Sequence, residues 1–392
     1  MIAGGAVAPA AAASAPGNGA IAAPTSAASA PGNGEVAAPV PGSVAPASHA
    51  GSGCSFPVTA TDATGTEVTV NGEPDRIVAL GASTAQTLWE IDAESKVVGV
   101  SQFATYLDGA GNRTVVTETR NFSTVVQVEE IVGLNPDVVL AANVYPNEDL
   151  QRIRAAGIAV HKFEAAASIE DVYDKTGRIG HLAGACAAAN ATVERMRGEV
   201  ETVHEAVSGE ERPRVLYPQS GGFAPGPNTF IGGLIDAAGG ANVVANGEFD
   251  RAYPQLNPEF VVAQDPEWLI VATTGDPDGA SPRELVPAGP ALRNTTAWEE
   301  GNFVVVNANN VSQPAPRIVS PLRRMARAFH PEAYEAAQAT PTQDGDETPT
   351  ATATTGSTPA ETEAPGLPGF EIWTAAVALL AALLIATRRR TG

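Results

Sequence analysis

The chain has 392 residues with 44 acidic and 23 basic side chains, which gives a formal net charge of −21. Proteins that bind nucleic acid need a basic surface, so this balance excludes a nucleic-acid partner. Only three of the basic residues are lysines: Lys96, Lys162 and Lys175. An acidic, lysine-poor surface is typical of proteins that stay soluble in concentrated salt, where repulsion between carboxylates is screened. We therefore expect a halophilic source, with an ordinary acidic extracellular protein as the alternative.

The two ends of the chain differ in composition from its middle. Residues 1–55 are mostly Ala, Gly, Pro and Ser, and residues 338–367 form a stalk rich in Thr, Pro and acidic side chains. Neither segment has enough apolar side chains to offset the entropy lost on ordering, so both are predicted to be disordered. Residues 56–337 remain, which is enough for one large or two smaller lobes.

Short apolar runs alternate with helical patterns along this middle part. Residues 76–81 and 97–100 are predicted strands, and between them Ser83 is expected to cap a helix through Ile91. A second series follows, with a helix at 128–134 and strands at 137–142 and 158–163. Such alternation predicts parallel sheets with crossover helices.

Residues 168–207 break this alternation with apolar side chains spaced three and four apart throughout. Ser168 and Asp171 form a capping-box pattern at the start. The stripe is long enough for one helix of about 60 Å. Glycines 177, 180 and 184 could instead split it into two helices.

An internal repeat links the two halves, because residues 129–140 align without a gap on residues 259–270, an offset of 130. The sequence therefore predicts an α/β protein with two Rossmann-like lobes and parallel-type sheets. The lobes span residues 56–167 and 208–337, and one long linker helix, 168–207, joins them. Disordered N-terminal and C-terminal segments flank this core.

The cysteines, histidines and motifs of the sequence argue against a catalytic or metal-binding site. Two cysteines cannot make a disulfide framework, so Cys186, on an apolar stripe, is expected to be a small buried side chain. Cys54 could alternatively carry a lipid. The five histidines are scattered without metal-ligand spacing, and no phosphate loop or nucleophile elbow is present. We expect neither a metal site nor an enzyme.

The C-terminal residues 368–392 are predicted to form a membrane-anchor or sorting tail. Residues 372–386 are apolar and are followed by three arginines. Counted from Pro368, the span is about 20 residues, and the arginines would remain in the cytoplasm. Pro368-Gly369-Phe370, the apolar helix and the arginines resemble the archaeal PGF-type sorting tail, which implies its removal by an archaeosortase and replacement by a lipid anchor. A retained transmembrane helix is the alternative.

Both forms of the tail place the lobes outside the cell, anchored to its membrane. Five Asn-x-Ser/Thr sequons suit such a surface-exposed chain; they begin at Asn112, Asn121, Asn190, Asn294 and Asn310.

From about Arg76 to Pro331 the chain resembles the helical-backbone class (class III) of ABC-transporter substrate-binding proteins, which serve cobalamin, siderophores and haem. The resemblance rests on residues 76–80, 97–100, 129–140 and 155–158 in this order, followed by the long helix. In the second lobe, residues 239–243, 253–259 and 315–318 are most similar to the cobalamin-binding members.

This resemblance implies two lobes around a cleft and cobalamin as a transported ligand rather than a cofactor. Its partners would be an ABC permease and an ATPase. A ferric siderophore or haem receptor of the same class is the alternative, and a non-transport surface module is a second one.

The resemblance also implies roles for matched residues. Glu129 and Glu259 occupy equivalent repeat positions and would pair with permease arginines, although acidic residues also favour helix starts in general. Cleft residues are expected in the loops after the strands, where Tyr106, Tyr145, Phe223, Tyr253 and Arg317 lie. Aromatic faces suit the edge of a macrocycle, whereas siderophore clefts often carry several arginines and only Arg317 is found here. The family's Trp at position 253 is a Tyr in this chain.

Overall fold

The computed structural model describes residues 53–339 except 122 and 288. These residues lie within one compact unit, Met1–Pro341. Most of the predicted N-terminal disordered segment, up to residue 52, and the stalk and tail from residue 340 lie outside the described residues. Within the described part of the chain, no helix is long and apolar enough to cross a membrane.

The N-terminal lobe is built on a five-stranded parallel sheet with strand order β5-β4-β3-β8-β9. Its elements are β1 (Val58–Thr61), β2 (Glu67–Val70), β3 (Ile77–Leu80), α1 (Ala82–Glu90), β4 (Val97–Val100), β5 (Thr114–Val115), β6 (Thr117–Arg120), β7 (Ser123–Val126), α2 (Val128–Gly133), β8 (Val138–Ala141), α3 (Asn147–Ala155) and β9 (Ala159–Lys162). β1 pairs with β2, and β6 with β7, as antiparallel hairpins. β3 and β8 are buried along their whole length because helices cover both faces of a parallel sheet.

The C-terminal lobe is built on a four-stranded parallel sheet with strand order β11-β10-β12-β13. Its elements are β10 (Arg214–Leu216), α6 (Phe230–Ala237), β11 (Ala241–Asn242), α7 (Pro258–Gln264), β12 (Trp268–Thr273), α8 (Pro282–Leu285), α9 (Thr296–Glu300), β13 (Phe303–Asn307), α10 (Ala308–Val311), α11 (Val319–Phe329) and α12 (Pro331–Ala339). The last helix extends two residues past the predicted lobe boundary at 337.

The internal repeat is present in the structure as the same helix–strand pair in each lobe. α2 and β8 begin at Val128 and Val138, and α7 and β12 begin at Pro258 and Trp268, so the offset of 130 holds for both elements. β8 pairs with β3, and β12 pairs with β10, which is the first strand of its sheet along the chain. The prediction of two α/β lobes with parallel sheets is confirmed.

The segment predicted as one long linker helix consists of two helices, α4 (Ile169–Ala183) and α5 (Cys186–Val207). Gly184 ends α4 with a φ of 72°, a left-handed conformation that glycine adopts without strain. A Cβ on Gly180 would lie 2.3 Å from the Ala189 Cβ, so the two helices approach closely at the bend. The single 60 Å helix is therefore wrong, and the glycine-split alternative is correct. The capping box of Ser168 and Asp171 is confirmed.

α4 and α5 fold back on each other as a helical hairpin that connects both lobes. The start of α4 packs in the core of the C-terminal lobe through Val172, and its end packs in the N-terminal core through Leu182. α5 returns in the opposite direction, with Ala189 in the N-terminal core and Val203 in the C-terminal core. Each helix therefore spans the two lobes.

Cys54 and Cys186 form a disulfide with a Cα–Cα distance of 5.4 Å. Cys186 is buried as predicted, but it is one half of this disulfide and does not act only as a small buried side chain. A lipid on Cys54 is incompatible with this bond, because its sulfur is already substituted. The two cysteines are 132 residues apart in sequence, and Cys186 is the first residue of α5, directly after the bend.

Candidate functional site

The carboxyl ends of β3, β4 and β8 form one edge of the N-terminal sheet. β3 and β8 are neighbours in the sheet: the chain leaves β3 toward β4 on one side and leaves β8 toward β9 on the other. Such a switch point is the position where parallel α/β sheets bind ligands. Gly81 connects β3 to α1 with a φ of 129°. A Cβ at this position would lie 2.6 Å from the Ala142 Cβ, so the turn packs directly on the loop after β8.

α1 begins at this edge, and a buried lysine contacts its first turn. Gly81 is the N-cap residue, so the prediction that Ser83 caps the helix is wrong. The Ser83 hydroxyl instead accepts a hydrogen bond of 2.7 Å from the Lys175 ammonium on α4. Lys175 Nζ also donates to the Pro314 carbonyl of the C-terminal lobe at 3.2 Å. Burial lowers the pKa of Lys175 from 10.5 to about 7.

Arg317 forms an ion pair between the lobes. It lies on a 3-10 turn, Pro316–Ile318, and its Nε donates to the Glu90 carboxylate at the end of α1 over 2.7 Å. Arg195 on α5 also approaches Glu90, at 3.4 Å. These side chains are partly exposed, so the pair contributes about 0–1 kcal/mol to stability. The predicted ligand-binding Arg317 therefore already has a carboxylate partner.

Tyr106 lies next to this ion pair and is half-buried. Its hydroxyl accepts a hydrogen bond of 2.7 Å from the Gln86 side chain on α1. Burial raises the pKa of Tyr106, and the hydrogen bond from Gln86 and the charge of Arg317 oppose that rise. The structure thus brings Tyr106 and Arg317 together at the contact between the lobes.

Tyr145 follows β8 as predicted, but it lies in the core of the N-terminal lobe with only 3% of its surface exposed. Burial raises its pKa, and the Ser101 hydroxyl opposes that rise. Its ring presents no open face in this structure, so its contact with a ligand remains a prediction.

Phe223 and Tyr253 lie on two extended segments that pair in the C-terminal lobe. The Ala224 amide donates to the Pro254 carbonyl at 3.1 Å, and residue 223 bridges to Gln255. Phe223 is half-buried, whereas Tyr253 is 41% exposed. The neighbouring Tyr217 is buried, and burial raises its pKa to about 12. The structure brings these predicted aromatics together on a loop surface that follows β10.

Two further apolar side chains at the carboxyl edge were not predicted. Phe103, after β4, is 50% exposed, and Val144, after β8, is 75% exposed. Large apolar side chains exposed at a sheet's ligand-binding edge are typical of recognition surfaces. Their signal in the sequence is their position three residues past the end of a buried strand. In the C-terminal lobe, Tyr253 is likewise a large, exposed apolar side chain.

Glu129 and Glu259 are each the second residue of their helix, α2 and α7 respectively, and both are exposed. Neither makes an ion pair with any residue in the described part of the chain. Exposed valines follow three positions later in both helices, Val132 and Val262. Residues three apart share a helix face, so each lobe presents a carboxylate beside an apolar side chain. We call these four residues the paired lobe surface.

Among residues 53–339, apart from the two gaps, no group of three or more His, Cys, Asp or Glu side chains could hold a metal ion. A periplasmic binding protein family model matches residues 77–309, from β3 into α10. The chain belongs to the periplasmic binding protein family. The match covers the helical hairpin and most of each lobe.

Relatives of known sequence extend this family assignment. The chain is 48% identical over 288 residues to a cobalamin-binding protein of Halobacterium salinarum, which covers 72% of this chain and 78% of the relative. It is also 25% identical over 295 residues to an uncharacterized ABC transporter substrate-binding lipoprotein of Bacillus subtilis, covering 71% of this chain and 88% of the relative.

Solved structures share the two-lobed fold. A periplasmic haem-binding protein of Roseiflexus sp. RS-1 in apo form has a TM-score of 0.56 at 25% identity, covering 67% of this chain and 99% of that protein. The periplasmic vitamin B12 binding protein of Vibrio cholerae has a TM-score of 0.55 at 17% identity, and the similarity covers 68% of this chain and 99% of that protein. At that lower identity the similarity shows the fold alone.

Proposed function

We propose that this chain is the extracytoplasmic substrate-binding component of an ABC importer and that its ligand is cobalamin. The observation that carries the proposal is the 48% identity to a cobalamin-binding protein over 288 residues, a length that includes both lobes. The chain then binds and delivers a molecule without transforming it.

Exposed apolar side chains in the loops support a large ligand with an apolar rim. Phe103, Val144 and Tyr253 offer exposed apolar surface, and such contacts stabilise a complex by about 25 cal/mol for each Å² buried. Corrin side chains are neutral amides, so few charges are needed to bind them. Arg317 is paired with Glu90, which leaves it poorly placed to capture an anionic siderophore.

A haem or ferric siderophore receptor is the rival proposal within the same class. The observation that favours it is the structural similarity to the Roseiflexus haem-binding protein, at 25% identity. Its ligands carry carboxylates or other anionic groups, whose binding to arginine weakens as salt screens the charges. Binding of a neutral corrinoid should change little with salt.

Calorimetric titration of the purified protein with cyanocobalamin, a ferric hydroxamate and haemin separates these proposals. We expect one-to-one binding of cyanocobalamin alone, with similar affinity at molar and low salt. Tyr253→Ala should lower the affinity more than Arg317→Ala, because the lost aromatic face is not replaced by water. Heat from haemin or the hydroxamate alone would overturn the cobalamin assignment and leave the receptor assignment standing. Binding of none of the three would favour the surface-module alternative.

The paired lobe surface is proposed as the permease-docking site. Glu129 and Glu259 are exposed and free of ion pairs in the described chain, so each carboxylate can accept hydrogen bonds from a permease arginine. Val132 and Val262 would add an apolar contact beside each pair. Since the two lobes repeat the same arrangement, a permease with matching arginines on two subunits fits both at once.

Charge reversal tests this docking proposal. Glu129→Lys and Glu259→Lys should leave cyanocobalamin binding intact and abolish uptake, while Glu205→Lys, on the exposed face of α5, is the control that should transport normally. Normal uptake by both docking variants would contradict the docking proposal. The two glutamates would then be acidic residues that only stabilise the starts of their helices.

The lobes are proposed to lie outside the cell, held at the membrane by the C-terminal tail. The Cys54–Cys186 disulfide supports this location, because such bonds persist in oxidising compartments. Deletion from Pro368 onward should release the protein into the medium, whether the tail is retained as a helix or exchanged for a lipid. A truncated protein that stays cytoplasmic or membrane-bound would contradict this topology.

A further inference from the structure

The five glycosylation sequons differ in how the fold presents them. A sequon is recognised through two side chains, the asparagine amide and the hydroxyl two residues later, so both must be accessible from one side. We propose that this protein is N-glycosylated at Asn112 and Asn121 and at no other sequon. The proposal rests on the extracytoplasmic location proposed above.

The sequon at Asn190 lies inside α5, where each residue turns by about 100°, so side chains two apart point to nearly opposite faces. The structure shows this separation. Asn190 is exposed, whereas Thr192 is 6% exposed and its hydroxyl donates to the Glu90 carbonyl at 2.9 Å. In the folded chain, a transferase that reaches the Asn190 amide therefore does not reach the Thr192 hydroxyl.

The sequons at Asn294 and Asn310 have hydroxyls that are already hydrogen-bonded. The Thr296 hydroxyl, at the start of α9, donates to the Asp265 carboxylate at 2.8 Å, and the Thr296 amide donates to the same carboxylate. The Ser312 hydroxyl, which directly follows α10, donates to the Ala308 carbonyl at 2.6 Å. Asn310 is itself only half-exposed within α10.

The sequon at Asn112 lies on a connection that turns both of its side chains outward. Asn112 ends a 3-10 turn, Thr114 begins β5, and both are exposed. Arg113 between them points inward, where its guanidinium donates to the Glu94 carbonyl at 3.1 Å. Asn112 and Thr114 are therefore both open to solvent while Arg113 between them is held by its hydrogen bond to Glu94.

The sequon at Asn121 lies at the tip of the β6–β7 hairpin. Asn121 has a φ of 50° in the connection between the strands, and Ser123 begins β7. Both residues are exposed, and within the described ranges neither the Ser123 hydroxyl nor the Thr114 hydroxyl makes a hydrogen bond. The tip is about 13 Å from the far end of the four-residue hairpin, where the chain enters α2.

The reaction joins the asparagine side-chain nitrogen to a sugar supplied as a lipid-phosphate-linked oligosaccharide. The amide nitrogen forms a bond to the sugar's anomeric carbon, and the bond between that carbon and the phosphate oxygen breaks. The lipid phosphate leaves with the electron pair, and a base on the transferase accepts the amide proton. No oxidant or reductant is needed.

Site-by-site mass spectrometry of peptides from the full chain, expressed in its native host, tests the proposal. Peptides containing Asn112 and Asn121 should carry glycan, and those containing Asn190, Asn294 and Asn310 should not. Thr114→Ala and Ser123→Ala should each abolish modification at their own sequon only, while Ser123→Thr, which keeps the hydroxyl, should retain it. Glycan at any of the three other asparagines, or none on the exported chain, would overturn the inference. An unmodified chain found inside the cell would instead contradict the proposed location, and with it the glycosylation that depends on it.

Discussion

Burial of Lys175 should make the stability of the protein depend on pH. Its ammonium is buried between the lobes and has no carboxylate partner among the described residues, and burial lowers its pKa from 10.5 to about 7. Between these two values the unfolded chain binds the extra proton and the folded chain does not. The free energy of unfolding should therefore rise with pH across this range, by about 3 kcal/mol from pH 7 to pH 9.5.

Replacement by methionine keeps the apolar stem and removes the titrating group. Denaturant unfolding at several pH values should show the stability difference between wild type and Lys175→Met shifting by about 3 kcal/mol between pH 7 and pH 9.5. Lys162→Met, at a half-buried position on β9, is the control that should keep the wild-type slope. Measurements should stop below pH 10, because burial raises the pKa of Tyr173 and Tyr217 to about 12 and stability then falls as unfolded tyrosines ionise.

A constant difference between wild type and Lys175→Met across this pH range would refute the reasoning. It would mean that the lysine is hydrated or finds an anionic partner in solution, and that the two hydrogen bonds to Ser83 and Pro314 do not hold it in an apolar environment.

Three further predictions concern stability. His161 is fully buried with neither ring nitrogen hydrogen-bonded in the described chain, and burial lowers its pKa to about 4, so stability should fall by about 3 kcal/mol as pH drops from 6.5 to 4. In acid denaturation, His161→Leu should lose this pH dependence, whereas the control His181→Leu, at an exposed site, should keep it. If stability falls with pH equally in His161→Leu and in wild type, the buried histidine is not its cause. A Cys54→Ser, Cys186→Ser double variant should unfold with about 5 kcal/mol less free energy in denaturant titrations, because the disulfide closes a loop of 132 residues, and an unchanged midpoint would argue against the bond. With a net charge of −21, the melting temperature should fall from molar to ~0.1 M KCl, and a constant value would refute the halophile interpretation.

Local patterns were enough to predict most of the parallel strands. β3, β4 and β8 lie within a residue or two of their predicted bounds, because a continuous apolar run between turn residues is a local signal. The 130-residue repeat is also a local sequence pattern, and it predicted the matching halves of the fold. In the structure, Glu129 and Glu259 occupy equivalent helix positions.

Features that depend on distant partners were not predictable in this way. Arg317 pairs with Glu90, which is 227 residues away, and the turn that presents Ser83 to Lys175 depends on packing between lobes. The split into two helices was one of two alternatives, and the left-handed Gly184 and the close approach at Gly180 decide between them. The burial of Tyr145 likewise follows from the loop packing around it and not from its position after a strand.

The helical hairpin also limits how this protein can be divided. Ile179, Leu182 and Ala189 lie in the hairpin, beyond the last strand of the N-terminal lobe, yet they complete that lobe's core. A chain that ends at residue 167 lacks these buried side chains and should not fold autonomously. During synthesis the first lobe can therefore finish folding only after the start of α5 has left the ribosome. For the same reason, lobes exchanged between relatives should carry the hairpin along with the N-terminal half.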